Sequence, residues 1–82
     1  MQQTMKNYVI AIDLGGTNTV LGLVDKEGQV LTQTSFKTQA YPELTGYVSR
    51  CGEAVRFLLK EIEGVGQVSA IGIGAPDVNY WN

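Results

Sequence analysis

Apolar positions alternate with others from residue 8 to 13, so that Tyr8, Ile10 and Ile12 fall on one side of an extended chain and Val9, Ala11 and Asp13 on the other. After Gly15 and Gly16 the alternation resumes, with Val20, Gly22 and Val24 opposite Leu21 and Leu23. Two strands joined this closely must run antiparallel. Asp25-Lys26-Glu27-Gly28 reads as a second turn, and Val30–Lys37 as a third strand. It is more polar than the first two and is predicted to lie at an edge.

The period then changes. Residues 38–41 form a connection, Pro42 suits the first position of a helix, and Glu43 suits the positive end of its dipole. Leu44, Val48, Cys51, Val55, Leu58 and Ile62 recur at spacings of four and three, which predicts one apolar face packed on the sheet. Cys51 in that stripe reads as a packing thiol and not a reactive one. Arg50, Glu53, Arg56 and Lys60 are expected on a solvated face, and Gly64 is a natural stop. Residues 68–75 are β-branched and too few for a second long helix, so they read as a fourth strand. Reached through a helix, it is expected parallel to the first, by a right-handed connection. The prediction is an α/β chain of order β-β-β-α-β, a mixed sheet with spatial order 3-2-1-4, and one helix packed on one face.

Composition narrows what such a chain can do. Its 82 residues make at most one small domain, of a size that buries roughly 60% of its unfolded surface. Hydrophobic content of 44% against 17% charged is that of a globular chain, and a net charge of -2 supplies no basic patch for nucleic acid. Histidine is absent and Cys51 is the single cysteine, which excludes an internal disulfide, a Cys/His zinc cluster and Ser-His or Cys-His nucleophilic pairs. The apolar runs are strand-sized and residues 1–6 are polar, so no membrane segment or secretion signal is expected, and a cytoplasmic location is.

The candidate chemistry sits between the first two strands. Gly15 and Gly16 tolerate positive φ and lack Cβ atoms, so backbone N–H groups there can approach an anion. Asp13 beside them accepts hydrogen bonds only, and its charge repels phosphate unless a divalent cation such as Mg²⁺ lies between. The plain alternative is that the glycines merely close a hairpin that Asp13 caps. A Walker loop and a dinucleotide fingerprint are both excluded, because each opens a helix and here a strand follows. Gly72, Gly74 and Ala75 make the end of the fourth strand small, either to relieve crowding against the helix or to leave room for a ligand.

Asp13-Leu14-Gly15-Gly16-Thr17-Asn18 resembles the first phosphate motif of the hexokinase and actin-like ATPase superfamily, closest to the ROK family of bacterial sugar kinases and its glucokinases. Ile71-Gly72-Ile73-Gly74-Ala75-Pro76 resembles the later family strand whose end approaches the sugar, so the resemblance runs over residues 8–82. It implies a partial ribonuclease-H-like fold, here the N-terminal part of the small N-terminal domain, with residues 1–82 carrying no further domain. It also implies ATP and Mg²⁺ as cofactors and glucose or a related hexose as substrate. Gly15, Gly16, Thr17 and Asn18 would bind phosphate, Asp13 would hold Mg²⁺ directly or through water, and Gly74, Ala75, Pro76, Asp77 and Asn79 are sugar-pocket candidates. Pro76-Asp77 departs from the family's Pro-Gly, and Tyr80 and Trp81 near the chain end read as packing or disordered residues, with sugar stacking the alternative. The family's catalytic aspartate, in an Asn-Asp pair, has no counterpart among the 82 residues and is expected downstream. Residues 1–6 are too few for the DNA-binding helix-turn-helix of the family's repressors, which points to the kinase branch. Other actin-like phosphotransferases and a non-catalytic, self-associating module are the alternatives. Self-association is expected through an uncovered sheet edge or face, with no nucleic-acid or membrane partner.

Overall fold

Lys6–Leu14 (β1) and Asn18–Asp25 (β2) pair antiparallel, with Tyr8 opposite Asp25 and Leu14 opposite Thr19, in a computed structural model that describes residues 5–74. Val30–Lys37 (β3) adds antiparallel to the far side of β2. The turn between them is closed by the Asp25 carboxylate, which accepts the N–H groups of Glu27 (3.0 Å) and Gln29 (2.9 Å), while Gly28 takes a φ of 87°. An aspartate starting such a turn and a glycine in the left-handed region are what this geometry needs.

A 3-10 turn over Thr38–Ala40 leads to the helix Leu44–Lys60 (α1), and Gly66–Gly74 (β4) returns parallel to β1. The four-stranded order is β3-β2-β1-β4, as the pattern predicted. One face of the sheet meets α1. Tyr8, Ile10, Leu21, Leu23 and Phe36 from the strands close on Ala54, Leu58 and Ile62, all buried. Burying each large side chain in this cluster contributes about 1.5–3 kcal/mol.

The helix departs from its reading in three ways. It begins at Leu44 with Glu43 as an extended N-cap (φ -96°, ψ 141°), so Pro42 precedes the helix instead of opening it. Its inward face follows the stripe at Cys51, Val55, Leu58 and Ile62 but not in the first turns, where Leu44 and Val48 are 75% and 58% exposed and Tyr47 meets the core instead, joined further on by Ala54. At that end the aromatic ring of Tyr47 packs on Phe36 at 5.7 Å, and the small Ala54 lets the helix approach closely. Arg50 is not simply solvated, because its guanidinium lies 4.8 Å over the Phe36 ring and 3.9 Å from Glu53.

Beyond Lys60 the chain tightens and stops where expected. Gly64 is left-handed (φ 84°), and the N–H groups of Val65 and Gly66 donate to the Ile62 carbonyl at 3.0 and 2.8 Å. The helix packs chiefly on β2 and β3. Ile71 and Ile73, in register with Ile10 and Ile12, are left 53% and 67% exposed. The opposite sheet face carries no element among the described residues and forms a shallow groove lined by Ala11, Val20, Val24, Val30 and Gly72. No helix among the described residues is long and apolar enough to cross a membrane.

Candidate phosphate-binding hairpin

The turn between β1 and β2 is tighter than the glycine pair alone implies. The Gly15 N–H donates to the Asn18 carbonyl at 3.0 Å, which leaves Gly16 and Thr17 as the tip. Neither Gly15 nor Gly16 has positive φ, which among the described residues occurs at Gly28 and Gly64. Gly15 is required for space instead: a Cβ there would collide with the Asn18 carbonyl oxygen, whereas a Cβ on Gly16 would meet nothing within 4 Å. The expectation that both glycines supply a left-handed turn is therefore corrected to one close approach and one open position.

The four phosphate candidates divide accordingly. Gly15 is occupied within the protein, its N–H by Asn18 and its carbonyl by the Thr38 hydroxyl at 2.7 Å. Gly16 and Thr17 are exposed, and their N–H groups donate to no acceptor among the described residues. Asn18 opens β2 opposite Lys37, and both are exposed at the same end of the sheet. Lys37 thus brings a positive charge to the hairpin that the pattern of strands did not single out.

Asp13 stands opposite Val20 and in register with Gly74 of β4, exposed and with no ion pair among the described residues. The sheet therefore brings together, at one end, a bare carboxylate, two unbonded amides and the small end of β4. No group of three or more His, Cys, Asp or Glu gathers among the described residues. Asp13 fits Mg²⁺ as a single carboxylate ligand, since that ion commonly takes one or two carboxylates and completes its octahedron with water and phosphate oxygens. Ala75, Pro76, Asp77 and Asn79, with Tyr80 and Trp81, lie outside the described residues.

Behind the tip lies a polar network that the strand pattern carried without declaring it. Thr19 is completely buried, in the inward series Thr19, Leu21, Leu23. Its hydroxyl is 2.8 Å from that of Thr38 and 2.9 Å from that of Tyr47. The Thr38 N–H also donates to the Thr17 carbonyl at 3.0 Å. A hydroxyl at an inward position was the available signal, because a buried polar group requires partners.

No protein-family model matches the chain. Over 23 residues it is 65% identical to the glucomannokinase of Segatella bryantii, a stretch that makes up 28% of this chain and 92% of that sequence. A solved ROK family glucokinase from Streptomyces griseus, in complex with glucose and AMPPNP, superposes with a TM-score of 0.63 at 34% identity over 83% of this chain. The chain belongs to the ROK family of sugar kinases. A second solved structure, a Cytophaga hutchinsonii protein described as a sugar kinase, superposes with a TM-score of 0.64 at 32% identity over 84% of the chain. The chain spans about a fifth of the length of these two structures, 20% and 22%.

Proposed function

We propose that this chain is the N-terminal part of the small domain of a cytoplasmic, ATP-dependent hexose kinase acting on glucose or a related sugar. The observation that carries the reading is the hairpin tip, where the Gly16 and Thr17 amides stand free beside the exposed Asp13. Two adjacent N–H groups with no internal acceptor favour an anion, and the tip has open space in front of it. Asp13 would hold Mg²⁺ and Thr17 would donate its hydroxyl to a phosphate oxygen. Mg²⁺ held there would supply positive charge to offset the negative charge that builds on the phosphates during transfer.

In the reaction a sugar hydroxyl oxygen bonds to the γ-phosphorus, the bond from that phosphorus to the β,γ-bridging oxygen breaks, and the hydroxyl proton passes to a carboxylate base. The 82 residues contain no Asn-Asp pair to supply that base. Their contribution is to fix the phosphates and the metal, with Gly74, Ala75, Pro76, Asp77 and Asn79 shaping the sugar side. The chain by itself is accordingly inactive. Its bare apolar sheet surfaces, Ile71 and Ile73 among them, support association with further protein, a second copy included.

Calorimetric titration of ATP into the chain tests the reading. Binding strengthened by Mg²⁺, with that gain lost in Asp13→Ala, is the expected result. Equal affinity with and without the metal, or an Asp13→Ala variant that keeps the gain, overturns it.

A further inference from the structure

We infer that Thr38 is a positioning residue for phosphate binding, the last link of a one-way hydroxyl chain running from Tyr47 through Thr19 that fixes the aim of the hairpin tip. The inference rests on the reading of that tip as a phosphate site. It is carried by a count of hydrogens. Each hydroxyl owns one proton. The Thr38 hydroxyl donates its proton to the Gly15 carbonyl, which can only accept. The 2.8 Å contact between Thr38 and Thr19 must then use the Thr19 proton, and the 2.9 Å contact between Thr19 and Tyr47 must use the proton of Tyr47. Every link has one possible direction: Tyr47 to Thr19 to Thr38 to Gly15.

The tip needs this brace because of how it turns. Two-residue hairpins usually take positive φ at the tip, since only those turns match the twist of the strands; the unprimed kind splays them. Gly16 and Thr17 have no positive φ, and the Gly15 carbonyl accepts no backbone N–H among the described residues. Thr38 takes the place of the missing strand-to-strand bond. Its hydroxyl holds the Gly15 carbonyl, in the peptide plane that carries the Gly16 N–H, and its N–H holds the Thr17 carbonyl, so the plane that carries the Thr17 N–H lies between two held planes. Tyr47 lies in the first turns of α1, which ties the aim of those amides to the seating of the helix.

Inorganic triphosphate with Mg²⁺, titrated into the 82-residue chain while the Gly16 and Thr17 amide resonances are followed by NMR, tests the proposal without any need for turnover. Loss of one such hydrogen bond is expected to weaken binding about fivefold to tenfold in Thr38→Val. Thr38→Ser, which keeps the hydroxyl, should bind within about twofold of the parent, and Tyr47→Phe should show a smaller loss than Thr38→Val. Rescue by serine separates aim from mere packing, because serine lacks the methyl group that valine retains. Should Thr38→Val fail to fold, the comparison of Tyr47→Phe with Thr38→Ser decides: weaker binding in the first and not in the second supports the chain of hydroxyls, and parental affinity in both overturns it. A parent chain whose amides do not respond to triphosphate overturns the phosphate reading and this inference together. A responding parent whose affinity Thr38→Val leaves intact overturns this inference alone.

Discussion

Gly15 and Gly16 are neighbours of the same type held in place for different reasons. A methyl group on Gly15 has nowhere to go, because the Asn18 carbonyl occupies its position in order to accept the Gly15 N–H. A methyl group on Gly16 projects into open space at an ordinary φ. Gly15→Ala is therefore expected to open the hairpin and cost about 1–3 kcal/mol, the penalty of overpacking a tight contact. Gly16→Ala is expected to gain up to about 1 kcal/mol, by limiting the unfolded chain. Urea denaturation of the two variants checks the pair. Equal losses would mean that the glycines share one conformational role.

At the scale of elements, the helix keeps its apolar stripe inward at Cys51, Val55, Leu58 and Ile62 and departs from it only in the first turns. Counting apolar residues selects Leu44 and Val48, yet these stand in solvent, while Tyr47 and Ala54 face the sheet. An aromatic ring with a hydroxyl and a single methyl group weigh little in such a count. Tyr47 nevertheless satisfies the buried Thr19 and packs edge-on against Phe36, and Ala54 permits close contact. Val48→Lys should accordingly change stability by no more than about 0.5 kcal/mol. Leu58→Ala, at a site with no exposure, should cost about 2–5 kcal/mol. The comparison is again one of denaturation midpoints at constant slope. A large loss at Val48 would mean that the first turns of the helix also bury the stripe.

The described part of the molecule measures 49 × 32 × 16 Å, the thin dimension being one sheet backed by one helix. Such a sheet has two faces, and only one is partly covered by the described residues. Ile71 and Ile73 on the helix side of β4, and the groove from Ala11 to Val30 on the other side, leave apolar surface in water. Light scattering over a range of concentrations should report mass above the monomer, falling towards it in a variant carrying Ile71→Lys and Ile73→Lys. A parent chain that stays monomeric at high concentration would show that these surfaces do not drive association. The fold comparison fits the same picture, since the related structures devote about four-fifths of their length to parts that have no counterpart here.

The amino-acid pattern alone determined the element order, the 3-2-1-4 sheet and the place of the hairpin, because alternation, helical period and turn residues are local and each is written in a few neighbouring positions. It also marked Asp13, which the sheet leaves exposed beside the tip. How the free amides at the tip are held in place was decided only in three dimensions. That outcome depends on Thr38 reaching back across 23 positions to Gly15, and on Tyr47 reaching Thr19 across 28. No local period encodes such meetings, since they follow from how the helix seats on the finished sheet.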